Sequence, residues 1–192
     1  MENMAEDPLY PEGNVSSPDG TGKQLKGWLR DILETVLPAL VIVFVINMFL
    51  AQATRVEGQS MEPNLYNDQR LIIEKVSYRF QKPRRGDIVV LKLPNRPGPP
   101  LIKRVVGLPG ESVEIHQGRV YVNGQLLSEH YVNQLTFSNH PAEVVSEDSV
   151  FVLGDNRSFS SDSRSFGMVR LEYIIGRAWF RYWPPTDIGF VR

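Results

Sequence analysis

The chain has 192 residues, room for one domain and an anchoring segment. Its 21 Lys and Arg stand against 22 Asp and Glu, a formal net charge of −1, so no basic excess draws it to nucleic acid. The absence of cysteine excludes disulfides, thiolate catalysis and zinc–thiolate sites.

The first 22 residues are rich in Pro, Gly, Ser, Asp, Glu and Asn and have no apolar period. Residues 1–27 are therefore expected to form a disordered tail. Residues 28–53 are expected to form one transmembrane helix. Its stretch 35–53 carries no charge and is mostly Val, Ile, Leu, Phe and Ala. At 1.5 Å per residue it spans about 28 Å, enough for the hydrocarbon core. Pro38, Asn47 and Gln52 interrupt it, and Pro38 falls near the start, where a helix tolerates proline. The alternative of a buried core helix is disfavoured because apolar residues cover every face.

Lys23, Lys26 and Arg30 precede this stretch, and only Arg55 follows it closely. The positive-inside rule then leaves the tail in the cytoplasm and residues 54–192 on the opposite side. A cleaved signal peptide is a competing reading, since Ala51-Gln52-Ala53 formally fits a cleavage site. The stretch is long for one and starts late.

Beyond Thr54, short β-prone runs alternate with turn residues. Leu71-Ile72-Ile73 and Ile88-Val89-Val90-Leu91 read as strands, the second entered through the turn Arg85-Gly86-Asp87. Residues 101–106 form the next strand. Residues 94–100 between them hold four prolines and read as an exposed loop. Gln117-Gly118 and Asn123-Gly124 signal two hairpins. Residues 125–149 are polar and ambiguous. Phe151-Val152-Leu153 is a short buried strand, and residues 173–181 close the sheet system. Regular strands without a long amphipathic helix predict a mainly antiparallel β domain.

Candidate chemistry starts at Ser60, in Gly58-Gln59-Ser60-Met61-Glu62-Pro63, directly after the apolar stretch. A serine hydroxyl needs a base to become nucleophilic. His116, His130 and His140 lie in polar or Pro-containing surroundings and read as surface residues. A lysine can serve if desolvation lowers its pKa. Lys103 lies in Lys103-Arg104-Val105-Val106-Gly107-Leu108-Pro109-Gly110. In a strand it shares a face with Leu101 and Val105, while Arg104 shares the other with Ile102 and Val106. Alternation alone does not say which cation is buried, and only the lysine is able to lose a proton. A third run joins Gly154-Asp155-Asn156-Arg157 to Ser161-Asp162-Ser163-Arg164. By itself it reads as a polar Asx-type turn.

Together the three runs resemble the bacterial type I signal peptidases, membrane-bound Ser/Lys proteases, from about Trp28 to the C-terminus. The run 71–80 and the short second subdomain resemble the cyanobacterial or thylakoidal type. The resemblance implies a catalytic β core carrying a small second β subdomain, at about residues 107–150. It implies Ser60 as nucleophile and Lys103 as general base, with neither metal nor cofactor. Ser160 matches the serine that orients the lysine amine, and Asp162 and Arg164 match an ion pair that stiffens the core. Asp155 and Asn156 belong to the same block. Asn64 stands where the family commonly has threonine. Gly58 stands where some members place a hydroxyl for the oxyanion, which leaves the Ser60 backbone N–H as the donor.

Val56, Met61, Leu65, Leu101 and Ile102 match family pocket positions. Shallow apolar pockets there would admit the small-x-small residues before the cut, with the peptide bound as an added strand. The implied partners are signal-peptide-bearing preproteins, the lipid bilayer and a nearby export translocon. The implied location is a single-pass membrane protein whose catalytic domain faces the periplasm, another extracytoplasmic space or the thylakoid lumen. Three rivals carry different signatures. A self-cleaving repressor would bring a DNA-binding module, and a Ser/His relative would have histidine at position 103. A membrane-tethered, non-catalytic β module that binds signal peptides or scaffolds an assembly would be expected to have lost Ser60 or Lys103.

Overall fold

The computed structural model describes residues 21–45, 51–134 and 138–191. The chain divides into two units, residues 1–43 and 44–192.

The first unit contains most of α1 (Thr21–Val45). Arg30 and Glu34, one turn apart, form an ion pair at 2.7 Å, the spacing that stabilises exposed helix faces. Beyond Glu34 the helix is uncharged, and the side chains of Val36, Leu37 and Leu40 through Phe44 are all exposed. Three sequence expectations shift here. Residues 21–27, assigned to the disordered tail, are helical. Pro38 lies in the helix interior rather than near its start. No helix among the described residues is long and apolar enough to cross a membrane. The physical reason is length. The described uncharged part of α1 runs only from residue 35 to 45, about 16 Å at 1.5 Å per residue, against a hydrocarbon core of about 30 Å. Residues 46–50 of the expected span lie outside the described residues. Residues 51–53 are not helical, because they belong to β1 (Ala51–Arg55).

The second unit is built on two antiparallel sheets. The larger contains β1, β2 (Arg70–Glu74), β3 (Ile88–Leu91), β4 (Leu101–Gly107), β9 (Ser149–Leu153), β10 (Val169–Arg170), β11 (Ile174–Trp183) and β12 (Gly189–Phe190). Its order is β1-β2-β11-β3-β4-β9-β10, with β12 added to β11. The smaller contains β5 (Ser112–His116), β6 (Arg119–Val122), β7 (Gln125–Leu126) and β8 (His140–Val144), in the order β7-β6-β5-β8. Two one-turn α-helices, α2 (Ser77–Phe80) and α3 (Ser163–Phe166), and two short 3-10 turns at Leu171–Tyr173 and Pro185–Asp187 complete the described set. The expected antiparallel β architecture is therefore present.

The local chemistry accounts for the pattern. Both hairpin signals turn the chain: Gln117 and Gly118 take φ of 49° and 76° between β5 and β6, and Asn123 and Gly124 take 51° and 76° between β6 and β7. Two consecutive positive φ values define the turn whose twist matches antiparallel strands. β3 and β9 are buried at every position because the large sheet is covered on both faces. Ile88, Val90 and Ile102 join Val56, Met61, Leu65, Leu71 and Ile73 in one core. Val89, Leu91, Val105, Val150 and Val152 form another. A third lies where the sheets meet and holds Val106, Val113, Ile115, Val120 and Phe151. At that junction Gly107 ends β4. A Cβ there would stand 2.4 Å from Val113 Cγ2 and 2.9 Å from Phe151 Cβ. The backbones approach this closely only because position 107 has no side chain.

Candidate active site

The loop between β1 and β2 is pinned at its neck. Val56 N–H donates to Gln69 O at 2.8 Å, and Asp68 N–H donates to Val56 O at 2.9 Å. Inside it, Leu65 N–H donates to Met61 O at 2.9 Å, and both side chains are 1% exposed. Those two anchors fix the turn that carries Ser60. Ser60 O accepts the Asn156 N–H at 3.1 Å, so the loop after β9 holds the serine from its carbonyl side. The Ser60 N–H itself makes no hydrogen bond among the described residues.

β4 delivers Lys103 to this serine. Its Nζ stands 2.6 Å from Ser60 Oγ, and the residue is 2% exposed. As an ammonium the lysine donates to Oγ; as a neutral amine it accepts the serine O–H. Burial pushes the amine down to about 8. Asp162 and Asp155 oppose that shift, while Arg96 and Arg164 reinforce it. A lysine tuned this way supplies neutral amine near neutral pH and pairs it with a hydroxyl in hydrogen-bond contact. That is the arrangement of an activated nucleophile.

The loop from residue 154 to 164 backs the pair. Gly154 is wedged so tightly that a Cβ would lie 2.2 Å from Ser160 Oγ and 2.5 Å from Ser60 O. Gly154 N–H donates to Asp162 Oδ2 at 3.0 Å, and Arg164 Nε donates to Asp162 Oδ1 at 2.8 Å. Burial pushes the Asp162 carboxyl up, but these bonds and the Arg164 charge outweigh it and hold the group below the usual range. Arg164 Nη2 also donates to Arg157 O at 2.8 Å. Asp162 and Arg164 thus stitch both ends of the loop together.

On the opposite face of β4, Arg104 donates from Nε and Nη2 to the two oxygens of Asp155, at 2.8 and 2.7 Å. These side chains are 3% and 1% exposed. The guanidinium lies 4.2 Å from the ring centre of Tyr131, a cation–π contact. Asn64, the departure from the family's threonine, donates from Nδ2 to Asp155 Oδ2 at 2.9 Å and to Tyr131 O at 2.8 Å.

Ser60, Lys103, Asp155, Asn156, Ser160, Asp162 and Arg164 are therefore brought together. One implied contact is not formed: among the described residues, buried Ser160 Oγ makes no hydrogen bond to the lysine amine. It packs against Gly154, while the lysine amine goes to Ser60. The pocket residues also divide. Val56, Met61, Leu65 and Ile102 share one core cluster, but Leu101 packs against the cluster on the other face of β4. At Gly58 a Cβ would meet nothing within 4 Å, so crowding does not explain the missing hydroxyl there. His116 and His130 are exposed, whereas His140 is half-buried, its ring centre 5.2 Å from that of Phe151. Sequence reasoning missed Glu129 and Tyr131. Glu129 pairs with Arg157 in a nearly dry ion pair, side chains 8% and 2% exposed. Both residues fall in the polar stretch after β7, where no periodicity flags them.

Comparison with known proteins agrees with this geometry. Residues 29–183 match the family model described as Signal peptidase, peptidase S26. Over 170 residues the chain is 41% identical to a probable signal peptidase I-2 of Synechocystis sp., covering 85% of this chain and 77% of that protein. Over 196 residues it is 38% identical to the signal peptidase I of Leptolyngbya laminosa, covering 98% and 96%. It is 33% identical to thylakoidal processing peptidase 1, chloroplastic, of Arabidopsis thaliana, covering 85% of this chain and 53% of that protein. With family motifs and matching residues in one place, the chain belongs to the signal peptidase family, peptidase S26.

Proposed function

We propose that this protein is a membrane-bound serine endopeptidase that removes N-terminal signal peptides from exported preproteins. The observation that carries the reading is the 2.6 Å approach of Lys103 Nζ to Ser60 Oγ, with the amine lowered to about 8. Neutral Lys103 takes the Ser60 proton as Oγ attacks the scissile carbonyl carbon. The Ser60 N–H donates to the resulting oxyanion. The ammonium then gives its proton to the departing amine, leaving an acyl-enzyme. Lys103 next takes a proton from a water that attacks the ester and returns it to Ser60 Oγ as the acyl–oxygen bond breaks, and the cleaved signal peptide leaves with its new carboxylate. Every proton passes through Lys103, so no metal or cofactor is required. Val56, Met61, Leu65 and Ile102 wall the side that receives the small residues before the cut, and Leu101 begins the strand beside which the peptide lies.

Residues 28–50 are proposed to hold the enzyme to the bilayer, with the tail cytoplasmic and the catalytic domain on the trans side, near the export translocon. The exposed Val36, Leu37 and Leu40 through Phe44 support this, as does the apolar sequence that follows. Substrate and enzyme then share one plane, which raises their effective concentration. The test is cleavage of a precursor with an Ala-x-Ala site by detergent-solubilised full-length protein beside Ser60→Ala. Wild type is expected to cut at that site and the variant not to. Equal processing by both, or by neither, overturns the reading, and the second result favours a non-catalytic binding module.

A further inference from the structure

A cavity of about 260 Å³ opens beside the Ser60 turn, lined by Glu62, Pro63, Asn133, Gln134, Asn156 and Phe159 among others. It is smaller than the roughly 300–1,000 Å³ typical of small-molecule sites, a size suited to one or two side chains. Its position is fixed by Asn156, whose N–H holds Ser60 O. The cavity therefore lies on the carbonyl side of the serine.

Its chemistry is unlike that of the apolar cluster around Val56, Met61 and Leu65. Most of its lining residues are polar, and Glu62 has no ion-pair partner among the described residues. Asp155, by contrast, is neutralised by Arg104. Phe159 is 71% exposed on a loop held firmly from behind: Arg157 Nε donates to Gly154 O at 3.0 Å and its fork is paired with Glu129. A large apolar ring kept in water on a rigid loop, next to a nucleophile, is placed to meet something that arrives. One wall, Asn133 and Gln134, comes from the segment that Glu129 and Tyr131 dock beneath the loop.

We infer that this cavity receives the first residues on the leaving-group side of the cleaved bond, with Glu62 reading their charge and Phe159 their apolar bulk. The inference rests on the peptidase reading. A peptide chain crossing Ser60 must continue past it, and small apolar residues before the cut have no use for a polar pocket. The segment between β7 and β8 thereby acquires a role, as a wall that screens the mature end of the substrate.

The test uses quenched fluorescent peptides, identical before an Ala-x-Ala cut, with Lys, Gln, Glu, Leu or Gly at the second position after it. Full-length protein in detergent is assayed for kcat/KM. Wild type is expected to prefer Lys over Glu by about threefold, the range of a partly exposed charge pair. Glu62→Lys should invert that preference, and Glu62→Gln should abolish it. Phe159→Ala should erase a preference for Leu over Gly without touching the charge preference. These ratios are taken within each variant, so loss of folded protein does not mimic the result. Peptides cleaved with unchanged ratios in all three variants overturn the inference and leave the peptidase reading standing. No cleavage by wild type overturns both.

Discussion

Lys103 and Arg104, neighbours in β4 and each 2% exposed, are buried with opposite electrostatics. Arg104 meets a carboxylate through two hydrogen bonds and keeps its charge. Lys103 meets the hydroxyl of Ser60, and burial lowers its amine to about 8. One residue along the strand separates a structural cation from a titratable one, and the partner makes the difference.

Ser60→Ala and Lys103→Ala are each expected to lower kcat by several orders of magnitude while circular dichroism stays native. Their effects should not add in the double variant, because nucleophile and base act as a unit. Lys103→Arg should be as inactive as the alanine variant, since a guanidinium does not give up its proton. Precursor processing at near wild-type rate by any of these variants contradicts the assigned roles.

The lysine also sets two pH dependences. The rate should rise with pH through an apparent pKa of about 8 and then hold. Stability moves with the same proton. The folded pKa lies below the unfolded value of about 10.5, so the unfolded chain binds more protons between those values. Burial of the charged amine therefore opposes folding fully below about pH 8, and the penalty is relieved as pH rises from 8 to 10.5. Lys103→Met should be inactive yet more stable than wild type at pH 7, with the advantage shrinking over that window. Urea midpoints at pH 7 and 10 measure it, and a methionine variant less stable at pH 7 would refute the linkage.

Arg104 and Asp155 should behave as a buried pair. Removing one partner strands the other charge at a cost of about 3–5 kcal/mol. Asp155→Leu and Arg104→Met are each expected to fall in that range by denaturant unfolding. The double variant should cost less than either single change, because no unpaired charge remains. Additive losses would mean that the two side chains stabilise the fold independently.

Much of this was legible in advance, for identifiable reasons. Ile88 to Leu91 and residues 151–153 announce buried strands by composition, and Asn123 with Gly124 announces a turn by its backbone needs. Ser60 and Lys103 were recognisable from the residues around them, although 43 positions apart. The face of β4 that is buried was not, since alternation treats Lys103 and Arg104 alike and both prove buried. β1 was hidden because Ala51, Gln52 and Ala53 continue an apolar run. Their strand character comes from the ladder offered by β2, with Ala53 opposite Ile72, and pairing of that kind leaves no local mark. Glu129 and Tyr131 were invisible for the same reason. Their partners Arg157 and Arg104 lie more than twenty residues away.

Gly154→Ala should be damaging out of proportion to one methyl group. The new Cβ would press on Ser160 Oγ and on Ser60 O, and a backbone carbonyl has no rotamer by which to retreat. The expected costs are about 1–3 kcal/mol of stability and about a hundredfold in kcat/KM from a displaced nucleophile. Wild-type kinetics in this variant would show that the glycine does not position Ser60.

The crowding at Gly107 has a consequence for how such a molecule can change over time. The strand that presents Lys103 runs four residues further and is clamped between Val113 and Phe151. No slack lies between the base and the smaller sheet, so a residue inserted or enlarged at that crossing is felt at the amine. The smaller sheet is free to lengthen only where strain dissipates, at the turn 117–118, at the end of β5 remote from Val113. Divergence is thereby channelled outward, and the catalytic strand stays fixed in length while its surroundings vary.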